Sequence, residues 1–254
     1  MFKSVVPLAV EKHQNMRLKP VADYGFAAGQ TMCPITAVEF PRVAPNYPIV
    51  FLKDDAGDMS AFALLAVPSG KNLFVDEDGL WRGSYVPASI RRYPFVFGRT
   101  SEDDKNLALC IDEGSDHVSE TEGEPLFTGD GKPTEILEKA IEFMKQFQTN
   151  HTHTVAICQE LERLEMFQGL KAQVRLPSGK NYNFVGAQII DEKKLSAIAD
   201  EDFLEWRRRG WLALIYAHLI SLGQMTHLAE LYEQSGGSGP ASGAATESTK
   251  TTAQ

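Results

Sequence analysis

The residues best suited to chemistry lie in one stretch of the chain, residues 72–97, where aromatic and arginine side chains are concentrated. Large rings bury much area and stack, while arginine either stacks on rings or grips carboxylates with its planar guanidinium. Such a set suits the binding of a peptide or glycan that carries an acidic group. The candidate ligand- or partner-binding residues are Trp81, Arg82, Tyr85, Arg91, Arg92 and Tyr93.

The same six residues also allow a structural interpretation. The rings would then fill the core, while the arginines would snorkel along it or pair with the chain's own acidic segment. Consecutive side chains point apart on a helix or a strand, so only one of Arg91 and Arg92 can face the rings of Trp81 and Tyr85. Arg92 is the favoured one, because Tyr93-Pro94 restrains the backbone directly after it.

Elsewhere the sequence shows no established catalytic or metal-binding pattern. His151 and His153 are two residues apart, so on a helix they point in different directions. The acidic residues of segment 112–124 lack the ligand spacing of an EF-hand. Pro-Ser-Gly-Lys-Asn occurs at 68–72 and again at 177–181, where it predicts hairpin turns and not a phosphate-binding loop. Catalytic residues are therefore unassigned, and neither a metal nor a cofactor is predicted.

Composition and charge narrow the class of partner. The chain has 254 residues, of which 43% are hydrophobic and 23% charged, as in a globular protein. Its net charge is -9, and nine acidic residues against one lysine lie between Ser101 and Glu124. This charge argues against a nucleic-acid binder or an anionic-membrane binder. A protein, peptide or glycan partner is expected instead, and the sequence leaves the oligomeric state open.

Cysteine usage and the absence of apolar runs suggest a compartment. Cys33, Cys110 and Cys158 form no C-x-x-C pair and lie among apolar neighbours, which favours buried thiols in a reducing environment. The first residues lack the apolar segment of a secretory signal. No run approaches the roughly 18 apolar residues of a spanning helix. The default expectation is a cytoplasmic protein, and cell-surface association would require a non-classical route.

Short strands are predicted mainly in the N-terminal half. Proline and turn residues bound them, and one more hairpin follows in the C-terminal half. The predicted strands are Ile49–Leu52, Ala61–Val67, Leu73–Val75, Pro94–Phe97 and Leu107–Ile111, with the hairpin at Ala172–Leu176 and Tyr182–Val185. Between them, Thr36 and Glu39 form a capping-box pattern for a short helix that Pro41 is expected to stop.

Helices are predicted mainly in the C-terminal half. From Thr134 to about residue 167, apolar residues recur at helical spacing with a weak region at Thr149–Thr154, so one long helix or two would fit. Gly169 is expected to end this helical region. Trp211–Leu222 is almost wholly apolar and predicts a central buried helix, too short at 12 residues to span a bilayer.

Together these elements predict one α+β domain over residues 1–234. An antiparallel sheet, built from the N-terminal half and the C-terminal hairpin, packs against helices that come mainly from the C-terminal half. Asp112–Gly131 is expected to be a surface loop, since it is acidic and weakly hydrophobic. Residues 235–254 are rich in Gly, Ser, Ala and Thr and predict a disordered tail that folding does not need.

Ordered motifs over about Val6 to Leu231 resemble the bacterial SapC family. The motifs that carry the resemblance are Glu39-Phe40-Pro41, Tyr47–Phe51, Asn72–Val75, Gly79-x-Trp81, Tyr85–Ala88, Arg92–Phe95, Cys110–Glu113 and Ile215–Leu219. The family takes its name from a surface-layer locus and brings no assigned catalytic residues. The resemblance implies a non-catalytic accessory or binding protein of surface-layer or other cell-surface processes. The alternative is an enzyme, or an obligate enzyme subunit, acting on a peptide or glycan around Trp81–Tyr93.

Overall fold

A computed structural model describes residues 1–54, 57–67, 70–99 and 107–236 of the chain. Its strands are β1 (Val5–Pro7), β2 (Arg17–Leu18), β3 (Met32–Pro34), β4 (Ile49–Lys53), β5 (Met59–Leu64), β6 (Phe95–Arg99), β7 (Leu107–Asp112), β8 (Val118–Ser119), β9 (Glu124–Pro125), β10 (Phe167–Arg175) and β11 (Asn181–Ile190). Its helices are α1 (Val10–His13), α2 (Phe40–Val43), α3 (Ala88–Arg91), α4 (Glu135–Arg163), α5 (Glu192–Ser196), α6 (Asp200–Arg208), α7 (Trp211–Ser221) and α8 (Gln224–Gln234).

The largest sheet has five antiparallel strands in the order β10-β11-β4-β5-β3. Its central strands β4 and β5 are apolar and largely buried, as expected of a sheet covered on both faces. The hairpin β10–β11 comes from the other half of the chain and joins this sheet where Gln188 lies opposite Phe51. The predicted α+β class, with antiparallel sheets and helices, is confirmed.

One helix of 29 residues, α4, packs against two hydrophobic clusters. Leu137 and Met144 belong to a smaller cluster beside the sheet β1-β7-β6, whereas Ile157 and Leu161 belong to the larger cluster around the five-stranded sheet. In the region of weak periodicity, the hydroxyl of the buried Thr154 accepts a hydrogen bond from the backbone of Ala37 at 2.8 Å. Of the two open alternatives, one long helix is therefore the one observed.

Helix α7 is buried along one face only. Trp211 and Ile215 point into the core, whereas Tyr216 and Ile220 are 49% and 70% exposed. An apolar helix is normally covered on all sides, so the sequence predicted a central buried helix. That prediction is right for one face of α7 and wrong for the other.

Helices α7 and α8 follow each other with only two residues between them. Together they span 24 residues, Trp211–Gln234, and the most apolar stretch of 18 residues within this span has a mean hydropathy of 1.2. By length and composition alone this run could cross a membrane, a test that core helices of soluble proteins also pass, and 39% of its most apolar window is buried. The predicted helix Trp211–Leu222 matches α7 to within one residue, and the sequence analysis missed only that α8 follows it closely enough to lengthen the apolar span.

Three local predictions were wrong for identifiable reasons. Pro41 does not stop a helix but lies in the first turn of α2, where its missing N–H leaves no hydrogen bond unmade. Leu73–Val75 is a turn with a single bridge from Val75 to Trp81, and not a strand. Gly169 ends no helix, since α4 stops at Arg163 and Gly169 lies inside β10 at a shift of register.

The acidic segment Asp112–Gly131 is more ordered than predicted. Asp112 and His117 are buried, and strands β8 and β9 both pair with β2 in a small antiparallel sheet. The prediction of a surface loop holds for the exposed acidic residues of the segment, but it is wrong for the buried Asp112 and His117 and for the strands β8 and β9. The prediction of a disordered tail concerns residues 235–254, and from residue 237 onward these lie outside the part of the chain that the structure describes.

Candidate functional site

The candidate site is built around the short helix α3, which a buried carboxylate holds in place. Glu39 is 4% exposed and ends the capping box that begins at Thr36, whose backbone N–H and hydroxyl both donate to Oε2, at 2.8 and 2.9 Å. Its other oxygen accepts from the hydroxyl of Tyr85 at 2.9 Å and from the first backbone N–H of α3, on Ala88, at 2.7 Å. The carboxylate of Glu39 therefore fixes both Tyr85 and the start of α3.

Tyr85 is the ring on which two arginines converge. The guanidinium carbons of Arg42 and Arg91 lie 5.9 and 5.5 Å from its ring centroid. Arg91 also donates to the Tyr85 hydroxyl at 3.2 Å and to the carbonyl of Val86 at 2.9 Å. Burial and the neighbouring Glu39 raise the pKa of Tyr85, so its hydroxyl stays protonated and can donate to the carboxylate.

Arg91 and Arg92 both reach the same face of α4. The guanidinium of Arg91 lies 5.2 Å from the ring centroid of Phe143, and that of Arg92 lies 5.1 Å from the ring centroid of Phe147. The two phenylalanines are one helical turn apart, so they are neighbours on that face. Phe2 covers Arg92 from another side at 5.7 Å. Each arginine is thus held in place by aromatic rings.

Arg92 is the unusual member of the set. Its Nε is buried and, within the described part of the chain, has no hydrogen-bond partner. No carboxylate among those residues pairs with its guanidinium. Loss of hydration lowers the pKa of Arg92 to about 10, so the group remains charged at neutral pH. Arg92 as a whole is half-buried, and a cation that gives up hydration without gaining an ion pair is costly to keep.

Tyr93 faces the other way, into the core. Its ring stacks on Phe26 with centroids 4.2 Å apart, and its hydroxyl donates to Asp112 at 3.2 Å. Asp112 also accepts from the backbone amides of Lys3 and Ser4, at 2.9 and 2.6 Å. Burial raises the pKa of Tyr93 to about 12. Tyr93 and Asp112 therefore anchor the N-terminal segment, and Tyr93 offers no surface to a ligand.

Trp81 and Arg82 lie apart from the arginine cluster. The indole N–H of Trp81 donates to the hydroxyl of Tyr47 at 2.8 Å, and its ring packs at the edge of the main core. Arg82 is exposed and its Nε lies 3.5 Å from a carboxylate oxygen of Asp76. The Tyr47 hydroxyl also donates to the carbonyl of Tyr85, which is the connection between this pair and the rest of the set.

The structure thus separates the six candidate residues. Tyr85, Arg91 and Arg92 form one surface over α4, which we call the arginine surface, with Arg42 as an added member. The expectation that Arg92 faces the Tyr85 ring was wrong, since Arg91 does so. Neither arginine pairs with the described part of the acidic segment: Asp112 is engaged as above, and Glu113 bonds His13 and Lys12.

Sequence reasoning missed several contributors to this surface. Arg42, Phe143 and Phe147 come from α2 and α4, outside the aromatic-rich stretch. The spacing of Phe143 and Phe147, four residues apart on a predicted helix, was the available signal for a shared face. The Thr36–Glu39 capping box marked Glu39 as a structural residue, but nothing in the sequence placed it under Tyr85.

Within the part of the chain that the structure describes, the remaining chemical candidates do not assemble into a second site. Burial raises the pKa of Cys33 and of Cys158 to about 12, so both thiols stay protonated and unreactive at neutral pH. His218 lies fully buried against Phe51, where it belongs to the core. Over residues 1–54, 57–67, 70–99 and 107–236, no three His, Cys, Asp or Glu side chains gather closely enough to hold a metal ion.

Comparison with known proteins gives one family. The family model described as SapC matches residues 8–228, which include every member of the arginine surface. Phe2, the ring that covers Arg92, lies outside the matched range. No curated protein and no solved structure matches the chain.

Proposed function

The chain belongs to the SapC family, and on that premise we propose that it is a non-catalytic binding or accessory protein of bacterial surface-layer or other cell-surface processes. The arginine surface is its binding site. The ligand is an acidic group carried by a peptide or a glycan, which the guanidiniums grip while Tyr85 offers a ring for stacking.

One observation carries the proposal. Arg42, Arg91 and Arg92 lie on rings of Tyr85, Phe143 and Phe147, and no carboxylate in the described part of the chain pairs with any of them. In a chain with a net charge of -9, an intramolecular partner would be easy to supply. Rings hold the guanidiniums in place without neutralising them, so the cost of ordering them for a ligand is already met.

The titration behaviour of the neighbouring groups favours binding over catalysis. A general acid or base works best with a pKa near the operating pH, whereas burial moves the pKa of Tyr85 and Tyr93 further above neutrality. The thiol of Cys33, behind α3, has its pKa raised to about 12 and is a poor nucleophile. An enzymatic site around Trp81–Tyr93 would need groups shifted in the opposite direction.

Binding of two defined probes tests this proposal. A hexaglutamate peptide and trigalacturonic acid carry the same charged group on a peptide and on a glycan, so they separate the two ligand classes. We expect one of them to bind, and Arg91→Ala or Arg92→Ala to weaken that binding by at least about tenfold, more at low salt than at high salt. Calorimetry at two salt concentrations provides the measurement.

Arg82→Ala is the matched control, because Arg82 belongs to the same stretch but is already paired with Asp76. It should leave probe binding unchanged. Equal losses in all three variants would mean nonspecific charge attraction, and the absence of binding by both probes would remove the arginine surface as the binding site. Melting curves of the variants ensure that a loss of binding is not a loss of fold.

A further inference from the structure

Helix α6 presents an apolar patch with opposite charges at its two ends. Phe203 and Leu204 are both 37% exposed in the middle of the helix. With about 100° of rotation per residue, Asp200 and Arg207 project on the same side as these two residues. Both charged side chains are exposed, and neither forms an ion pair with another described residue. One face of α6 therefore runs from an anion through apolar side chains to a cation.

The neighbouring helix α7 extends this patch. A groove of about 320 Å³ separates the two helices, and its walls include Leu195, Ile198, Phe203, Tyr216 and Leu219. Tyr216 and Ile220, one turn apart on α7, are 49% and 70% exposed beside it. Helices that are apolar on every side are normally covered, so the uncovered face of α7 is suited to a partner.

The spacing of the charges on α6 identifies that partner. Asp200 and Arg207 lie three and a half residues on either side of the midpoint between Phe203 and Leu204. A two-fold axis through this midpoint would place Asp200 of each copy opposite Arg207 of the other, with the apolar residues meeting at the axis. The helix dipole accounts for an acidic start and a basic end of α6, but not for the exposed Phe203 and Leu204 between them.

Intramolecular pairing elsewhere on α6 is consistent with this arrangement. Glu205 pairs with Arg208 and Arg209, and Asp202 lies 3.8 Å from Arg163, so these charges are already engaged within the chain. Asp200, Glu201 and Arg207 are left unpaired among the described residues, and of these Asp200 and Arg207 lie on the apolar face, where a two-fold axis would match them. The acidic rim that Glu192 and Asp200 give the groove argues against an anionic membrane surface as its cover.

We propose that the α6–α7 face is the interface of a two-fold symmetric dimer of this chain. The two copies of α6 pack antiparallel, and Asp200 of each copy pairs with Arg207 of the other. The central contact involves few large side chains, so we expect a concentration-dependent dimer with a dissociation constant on the order of micromolar. The dimer is independent of the arginine surface and does not rest on the proposed ligand.

Charge reversal tests the pairing directly. Asp200→Lys places two cations together at each end of the symmetric interface, and Arg207→Glu places two anions there. Sedimentation velocity over a dilution series should show a dimer for the unchanged chain. In each variant the dissociation constant should rise by at least about tenfold, because like charges would face each other. Both positions are exposed, so neither change removes a core contact.

Mixing the two variants gives the sharper result. An Asp200→Lys copy and an Arg207→Glu copy have opposite charges at both ends of the interface, so an equimolar mixture should dimerise although neither variant does alone. Energy transfer between copies labelled at their N-termini reports this mixed dimer. Glu201→Lys is the matched control: it makes the same charge change in the same turn, but about 100° away around the helix, and should leave the dimer intact.

Four results would overturn the proposal. The first is an unchanged chain that remains monomeric at all concentrations. The second is a dimer that both charge reversals leave intact. The third is an equimolar mixture of the two variants that stays monomeric. A monomer that sediments with phosphatidylcholine–phosphatidylglycerol vesicles, and loses this on Ile220→Ser, would assign the face to a lipid surface and likewise reject the dimer. Leu204→Lys is a second disrupting variant in case one of the charge reversals does not fold.

Discussion

Two charged side chains lose hydration at opposite ends of helix α3, the buried Glu39 and the half-buried Arg92, and only Glu39 has hydrogen-bond partners for its charged group among the described residues. At the start of the helix, the carboxylate of Glu39 accepts four hydrogen bonds from Thr36, Tyr85 and Ala88. At its end, the Nε of Arg92 has no partner among the described residues, and the guanidinium lies between two phenylalanine rings. A satisfied buried charge ties segments together, whereas an unsatisfied one lowers stability and is retained for another role.

The largest expected effect on stability concerns Glu39, the hydrogen-bonded carboxylate at the start of α3. Glu39→Ala would leave the backbone N–H groups of Thr36 and Ala88 without an acceptor and would free Tyr85, so the free energy of unfolding should fall by about 4 kcal/mol. Urea unfolding of the variant checks this. Glu142→Ala, which removes an exposed carboxylate from α4, is the control and should change stability by less than about 0.5 kcal/mol. A small loss at Glu39 would mean that the carboxylate is not the anchor of α3.

The two ends of α3 also differ in how far the sequence could predict them. Glu39 stands at the fourth position of a capping box, a local pattern that fixes the partner of one carboxylate oxygen. The surroundings of Arg92 come from Phe2 and Phe147, which lie far away along the chain on either side. Local patterns carry no information about such contacts, so the sequence could name Arg92 as a candidate but assigned the Tyr85 ring to the wrong arginine.

The same reasoning explains the successes and failures elsewhere. Strands β4 and β5 and the hairpin β10–β11 were located correctly, because turn residues and apolar runs bound them locally. Their bounds were less accurate, since β10 and β11 are longer than predicted and β5 ends before its predicted last residue. Asp112 was assigned to a surface loop from its acidic neighbours, yet it is buried because the amides of Lys3 and Ser4 need an acceptor there. For α7, apolarity indicated burial but not which face the rest of the chain covers.

His218 is a third desolvated ionisable group, and only one of its two ring nitrogens has a hydrogen-bond partner among the described residues. The Nε2 of His218 accepts from the backbone of Ile190 at 3.1 Å, while its Nδ1 has no partner in the described part of the chain. Burial lowers the pKa of His218 from 6.5 to about 4, because the charged ring would lose its hydration. Below pH 6.5 the unfolded chain therefore takes up a proton at His218 that the folded chain does not.

The free energy of unfolding should consequently decrease as the pH is lowered below 6.5. We expect His218 to account for a loss of about 2 kcal/mol in the free energy of unfolding between pH 6.5 and 5, with the loss continuing towards pH 4. Urea unfolding at several pH values should show this loss in the unchanged chain and a flatter profile for His218→Gln. His227→Gln, at an exposed histidine, should keep the original slope. Identical slopes in all three chains would contradict the assignment of the pH dependence to His218.

The smallest expected effect on stability concerns Arg92 at the end of α3, and it is an increase where the two preceding effects are losses. Methionine can fill the volume of the arginine stem and keep contact with Phe2 and Phe147, while the uncompensated charge disappears. Arg92→Met should therefore raise the free energy of unfolding by about 1 kcal/mol and at the same time abolish binding of the acidic probe. Thermal melts and probe titrations of one preparation measure both quantities.

Arg91→Met is the matched control for this change. The guanidinium of Arg91 is exposed and donates two hydrogen bonds, to Val86 and Tyr85, so its removal should weaken probe binding without any gain in stability. A gain at Arg92 alone would show that a desolvated cation is kept at the end of α3 against its effect on folding. If Arg92→Met instead destabilised the chain, the stacked guanidinium would be a structural element, and both ends of α3 would serve the fold in the same way.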